Sequence, residues 1–148
     1  MSISEIVQAF EQIADRHKHI NSFSFGESED ETIYGNDVYP RCFLELPFNV
    51  ETNEKFKRYR IGMVISQLPE SSSITDQQRI DIISECEDWA SQIIFELKKN
   101  KAIQFSNPFS FSSLILINHT TDSSYGVRAE FEITVLNKSC DSTIFLSE

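Results

Sequence analysis

Hydrophobic positions near the N-terminus recur at helical spacing and then give way to a polar stretch. Ser2 followed by Glu5 matches a capping box in front of an apolar stripe. We predict an amphipathic helix over 2–17, with its stripe at Ile3, Ile6, Val7, Phe10, Ile13 and Ala14. Residues 20–40 are rich in Ser, Gly, Asn, Asp and Glu, which predicts a long loop.

Alternating polarity in the rest of the chain predicts four strands, at about 41–46, 57–68, 108–117 and 126–136. The last pattern is the cleanest, because apolar side chains occupy every second position from Val127 to Val135. Gly62 lies inside the second strand, where a glycine marks a bulge or a close backbone approach.

A second helix is predicted over 75–100. Thr75 and Gln78 form another capping box at its start, and Lys98 and Lys99 stand near its end, where cations are favoured. Its apolar positions recur at Ile80, Ile83, Cys86, Trp89, Ala90, Ile93, Ile94 and Leu97.

The element order α-β-β-α-β-β predicts an α+β fold. We expect a four-stranded antiparallel sheet with both helices on its apolar face, which leaves the polar face without a helical cover. Residues 1–148 are expected to form a single domain, in which 137–148 is a C-terminal tail. A chain of this length buries roughly 70% of the surface that its unfolded form exposes, so one core suffices.

Composition narrows the function classes. The net charge is −10, and residues 27–37 hold five acidic residues and no basic one. Nucleic-acid binding needs Lys and Arg, so free nucleic acid is not an expected ligand. Cys42, Cys86 and Cys140 are widely spaced, which argues against zinc or disulfide frameworks and favours a reducing compartment. No membrane-spanning or signal-peptide pattern is present in the sequence, so we expect the protein to stay in the cytoplasm where it is made.

Two histidines, His17 and His19, stand just before the acidic run. A zinc site needs two further ligands, and the third histidine, His119, lies far along the chain. One hypothesis is a small metal- or ligand-binding module, or an enzyme, that uses these histidines and the nearby acids. The alternative is that His17 ends the first helix, where an imidazole bonds free carbonyl groups.

Glu130 and Glu132 share one face of the last predicted strand, roughly 7 Å apart, and such a pair suits acid–base work. Arg58 and Arg60 have the same spacing and the opposite sign, so cross-strand ion pairs are the simpler interpretation. No nucleophile arrangement, phosphate loop or dinucleotide glycine pattern accompanies them in the sequence. We therefore expect a protein that is not an enzyme and has no catalytic, cofactor or metal site.

Several short motifs follow one another along almost the whole chain. The first, "H..I.SF..G", consists of His17, Ile20, Ser22, Phe23 and Gly26. The pair "YP" at 39–40 comes next, and then "YRIGMVI", "SECEDWASQIIFELK" and "GVRAEFEITVLNKSCD". In this order they resemble small virion proteins of tailed phages, especially crAss-like and other Bacteroidetes phages.

The resemblance implies the tail-terminator or tail-completion fold, a sheet packed against helices that assembles as a ring. The chain would then be a structural subunit of the virion, in the head-to-tail connector or at the tail end, made in the host bacterial cytoplasm. Its partners would be its own copies in a six- or twelve-fold ring, adjacent portal, connector, ring or tail-tube proteins, and DNA that passes without specific binding. That family carries no catalytic residues. A contractile-injection-system component, which shares ancestry with phage tails, is the related alternative.

Aromatic side chains of the predicted loop and charged side chains of the predicted sheet are the expected interface, because aromatics dominate interface energetics. These residues are Phe23, Phe25, Tyr34, Tyr39, Arg58, Arg60, Glu130 and Glu132. The alternative for the aromatic residues is that they fold back onto the domain's own core. The acidic run 27–37 is expected to face the lumen or an adjoining basic ring, because acid in a DNA channel repels phosphate.

Overall fold

A computed structural model describes residues 1–27, 38–70, 73–105, 110–117 and 124–137 of the chain. In chain order, its elements are α1 (Ile3–Arg16), β1 (Ser22–Glu27), β2 (Arg41–Thr52), β3 (Phe56–Gln67), α2 (Asp76–Leu97), β4 (Ser112–Leu116) and β5 (Tyr125–Leu136). None of the helices in these ranges is long and apolar enough to cross a membrane.

Both predicted helices are present and begin at their predicted caps. At α2 the Thr75 hydroxyl accepts a hydrogen bond from the Gln78 backbone N–H (3.2 Å), and the Gln78 side-chain oxygen accepts one from the Thr75 backbone N–H (2.8 Å). At α1 the Ser2 hydroxyl accepts from the Glu5 N–H (3.2 Å). These bonds satisfy N–H groups that the first turn of a helix leaves without intrahelical partners.

The described strands form one mixed sheet in the order β1-β2-β3-β5-β4. β1 pairs with β2 in parallel, and the other three pairs are antiparallel. The α+β class is confirmed, but the predicted four-stranded antiparallel sheet and its order are wrong, because β1 lies inside the predicted loop 20–40. Ser and Gly suggested a loop there, whereas the alternation that puts Phe23 and Phe25 on one face is a strand signal.

β2 continues to Thr52, well beyond the predicted end at residue 46. Its register with β3 shifts between Glu45 and Asn49. Pro47 lies in this shifted segment, and a proline disfavours a strand interior unless a bulge accommodates it. For this reason the segment after residue 46 was predicted to be a connection, whereas β2 resumes its pairing with β3 at Asn49.

The other strands agree more closely with the prediction. β3 differs by one residue at each end from the predicted 57–68, and β5 begins one residue before the predicted 126–136. β4 begins at Ser112 rather than at 108, and residues 106–109 lie outside the described part of the chain. The same holds for the predicted tail from residue 138 onward, which includes Cys140.

α1 and α2 pack on one face of the sheet and form the core with it. Every second residue of β3 and β5 points into this core, as the alternation predicted. The Phe10 ring of α1 packs on Phe131 of β5, with centroids 5.9 Å apart. Burial of each such side chain contributes about 1.5–3 kcal/mol. The sheet residues in the core are Cys42, Leu44, Tyr59, Ile61, Met63, Ile65, Val127, Ala129, Phe131, Ile133 and Val135.

The opposite sheet face is not uniformly polar. Phe43, Val64 and Ser66 are buried on it, and so is Arg41. The Arg41 guanidinium lies over the rings of Tyr39 (5.2 Å) and Phe43 (6.0 Å), which is cation–π geometry. Buried side chains therefore fill one end of this sheet face, while charged side chains occupy the other end.

Candidate interaction surfaces

A ladder of alternating charges crosses the open end of the sheet face that points away from the helices. The Arg60 guanidinium lies 3.1 Å from a Glu132 carboxylate oxygen and 3.5 Å from one of Glu130. Arg60 and Glu132 are directly opposite in the register of β3 and β5. The predicted cross-strand ion pairs are confirmed for these residues. They are solvent-exposed, and such pairs contribute about 0.2–1 kcal/mol each.

Arg58 pairs elsewhere. Its guanidinium donates to the Glu51 carboxylate of β2 (2.9 Å), and its register partner on β5 is Thr134. Glu51 belongs to the half of β2 that the sequence predicted to be a connection. Because this half of β2 was not predicted to be a strand, the contact between Arg58 and Glu51 was not predicted from the sequence.

Glu45 of β2 and Arg128 of β5 form the most sheltered step of the ladder. The Arg128 Nε lies 3.0 and 2.9 Å from the two Glu45 carboxylate oxygens, and its Nη1 donates to Glu130 (3.1 Å). Desolvation acts to lower the pKa of Arg128, but the hydrogen bonds to Glu45 and Glu130 outweigh it, and the pKa is raised above its ordinary value.

Gly62 of β3 lies beneath this step. A Cβ there would be 2.6 Å from the Arg128 Nη2 and 2.9 Å from a Glu45 carboxylate oxygen. The sequence predicted a bulge or a close backbone approach at Gly62, but the nearest groups are side-chain ends and the register shift occurs in β2. Neither Glu45 nor Arg128 was a predicted site residue. The sequence feature that could have indicated their contact is that both lie on the same predicted sheet face as Gly62.

The ladder leaves its carboxylates engaged. Glu130 lies within bonding distance of both Arg60 and Arg128, and Glu132 is bound by Arg60. A general acid or base must exchange its proton with a substrate, whereas these carboxylates hold guanidinium groups. The arrangement favours a structural or interface role for this surface.

His17 is the C-cap of α1, and both of its ring nitrogens contact this chain. Its Nδ1 accepts a hydrogen bond from the His19 backbone N–H (3.1 Å), so Nε2 carries the proton and donates to the Gln92 side-chain oxygen (2.7 Å). The His19 ring stacks on Trp89 with centroids 5.4 Å apart. The imidazole contacts α2 rather than the carbonyl groups of its own helix.

An open cleft of about 510 Å³ adjoins this cluster and is lined in part by Arg16, Lys18 and Glu96. Glu96 bonds Lys99 (2.8 Å), which lowers the pKa of that carboxyl, and Arg16 lies 3.9 Å away. Across the described ranges, no group of three or more His, Cys, Asp or Glu residues has a geometry suited to a metal ion. The cluster connects α1 to α2 through the His17–Gln92 hydrogen bond and the Arg16–Glu96 ion pair.

The predicted interface aromatics divide between two environments. Phe23 is half-buried against the core, and its ring lies 6.4 Å from that of Phe25, which is 52% exposed. Tyr39 is half-buried and stacks with Arg41. Phe25 is therefore the aromatic of this set that is available at the surface, and Tyr34 lies outside the described residues.

The sequence analysis missed a second apolar surface, at the edge strand β4. Leu114 is 61% exposed, Ile115 55% and Ile117 61%. Nearby, Phe95 of α2 is exposed and makes an edge-to-face contact with Phe111 (6.3 Å). The signal was the run "LILI" in a segment without charged residues.

The described thiols are buried in the core. Burial raises the pKa of Cys42 to about 12, and burial together with Glu85 raises that of Cys86 to about 12. Nucleophilic cysteines need a lowered pKa. Cys42 and Cys86 therefore act as small apolar side chains.

No protein-family model matches the chain, and no curated protein matches it. Two surface features stand out. One is a charge ladder on one sheet face, in which Arg and Glu side chains pair with one another, and the other is the set of exposed apolar side chains at both outer strands. Neither arrangement presents a reactive group, and both are suited to contact with another protein.

Proposed function

We propose that this protein is a non-enzymatic structural subunit of a homo-oligomeric ring in the head-to-tail connector or tail end of a tailed phage. In that role it surrounds the DNA passage and docks neighbouring portal, ring or tail-tube proteins. The observation that carries the proposal is the pair of outer strands: β1 exposes Phe25, β4 exposes Leu114 and Ile115, and Ile117 is exposed directly after β4.

Apolar sheet edges favour association with further chains. Because the two edges of this sheet differ, a contact between them is head-to-tail, and such contacts close into rings when the rotation divides a circle. The motif resemblance to virion proteins supports the same assembly.

The charge of the chain suits a DNA passage. A net charge of −10 repels phosphate, so DNA slides past without adhering. The proposal assigns the acidic run 27–37 to the lumen or to an adjoining basic ring, and Glu27 is the part of that run within the described ranges.

Light scattering and negative-stain electron microscopy of the purified protein test the proposal. We expect a mass of six or twelve times 17.1 kDa and particles with a central hole. We also expect no retardation of double-stranded DNA at physiological salt. A 17.1 kDa monomer at every attainable concentration contradicts the ring, and stoichiometric bound zinc would instead favour the metal-binding alternative.

A further inference from the structure

In the part of the chain that the structure describes, the two outer strands of the sheet carry little of the usual protection of sheet edges. Natural edges carry Lys, Pro, bulges or a covering segment, because an open edge pairs with other strands. Residues 20–26 and 110–117 contain no charged residue and no proline, in a chain that is 24% charged, and Glu27 at the end of β1 is the charged residue of these two edge strands. Among the described residues, β1 pairs only with β2, and β4 only with β5.

Of the exposed apolar side chains at the two edges, Ile115 and Phe25 lie on the same side of the sheet, whereas Leu114, which is paired with Arg128, lies on the other side. In β4, Ile115 is paired with the core residue Val127, so it points to the side that carries the helices. In β1, Phe25 is paired with the core residue Leu44 and points to that side as well. If the sheet continued from one copy to the next, Ile115 and Phe25 would meet on one face.

Strand directions fit the same continuation. β1 runs parallel to β2, and each of the three further steps to β4 reverses direction. β4 therefore runs opposite to β1. A rotation about an axis parallel to the strands therefore places β4 of one copy antiparallel to β1 of the next. Antiparallel pairing is slightly more stable per residue than parallel pairing.

We propose that β4 of one copy pairs antiparallel with β1 of the next, with Ile115 and Ile117 packed on Phe25. This inference rests on the proposed ring and names its contact. A second copy is the occupant because its β1 offers a strand edge of similar length, an apolar side chain on the matching face and a single charged residue, Glu27 at the strand end. Chains with a net charge of −10 repel one another, so they associate best where the surfaces carry few charges.

Single-charge variants at each edge test the pairing. Ile115→Lys blocks the β4 edge, and Phe25→Lys blocks the β1 edge. Ile80→Lys is the matched control, because Ile80 is 56% exposed on α2, away from both edges. Circular dichroism checks that each variant is folded, and Ile117→Lys serves as a second β4 variant.

Sedimentation of the variants gives a distinctive result if the pairing is head-to-tail. We expect Ile115→Lys and Phe25→Lys each to lose assembly at least tenfold, while Ile80→Lys assembles like the wild type. A mixture of the two edge variants retains one intact β4–β1 contact, so it forms a heterodimer and nothing larger.

Other outcomes separate this inference from the ring itself. If Phe25→Lys alone dimerises through β4, or if both edge variants assemble like the wild type, the pairing is overturned and the ring remains. If an added peptide or another protein is required at the β4 edge, the second copy is excluded as its occupant. A wild-type protein that stays monomeric removes the proposed function and the inference together.

Discussion

Replacement of Gly62 by alanine tests the link between the β3 backbone and the charge ladder above it. The new Cβ would stand 2.6 Å from the Arg128 Nη2 and 2.9 Å from a Glu45 oxygen, so the guanidinium must move. Both contacts involve side-chain ends rather than backbone, which lets the ladder yield instead of the strand. The expected result is a folded protein with a broken Glu45–Arg128 step.

The magnitude follows from the exposure of the pair. The side chains of Arg128 and Glu45 are 31% and 18% exposed, so water compensates part of the lost bonds. Hydrogen bonds to charged groups are worth about 1.5–3 kcal/mol, which we reduce to about 1–2 kcal/mol for this partly exposed pair. Alanine in place of glycine in a strand returns about 0.5–1 kcal/mol. The net expectation is a loss of about 1 kcal/mol.

A double-mutant cycle isolates the cause. In an Arg128→Met background the guanidinium is gone and only the Glu45 carboxylate remains close to the new Cβ, so we expect Gly62→Ala to cost about 1 kcal/mol less than in the wild type. Urea unfolding followed by the fluorescence of Trp89, the single tryptophan, measures each free energy of unfolding at one fixed protein concentration. An equal cost of Gly62→Ala in both backgrounds refutes the displacement of Arg128 as its cause.

Three further predictions concern stability. Gly126→Ala makes the new Cβ collide with the Ile65 carbonyl oxygen, which is backbone, so we expect a loss of about 3 kcal/mol or more in urea unfolding; a cost as small as that at Gly62 contradicts it. Thr75→Ala removes the α2 cap and should cost about 1 kcal/mol, whereas Thr75→Ser keeps it, and equal losses contradict the cap. The folded thiols have pKa values of about 12, so their contribution to the free energy of unfolding is fully present below pH 9.0. That free energy falls from pH 9.0 to 12, because the thiols of the unfolded chain ionise first. Cys86→Ala should therefore lessen that slope by about 1.4 kcal/mol per pH unit, and an unchanged slope refutes this.

Local signals predicted the helices and the most regular strands. The α2 cap needs only two residues three positions apart, and β5 is a plain two-residue alternation. β1 was missed because its Ser and Gly content outweighed the spacing of Phe23 and Phe25. The second half of β2 was missed because Pro47 falls where the register shifts, and a bulge is a tertiary accommodation that local propensity does not contain.

The surface chemistry was predicted only where pairing partners were already assigned to strands. Arg60 with Glu132 followed from two recognised strands. Glu45 and Arg128 lie 83 positions apart, and their contact needs the full strand order. The exposed β4 edge likewise depends on β4 being outermost, which the predicted antiparallel order did not establish.

The central pairing of the sheet also has a consequence for how the chain folds during synthesis. β3 lies between β2 and β5, and its register joins Phe56 to Leu136. The β2–β3 hairpin can form early through its short turn, but closing the loop to β5 joins residues that are distant in sequence. Until Leu136 has left the ribosome, the edge of β3 that pairs with β5 has no partner strand, and an unpaired strand edge leaves the nascent chain prone to aggregation.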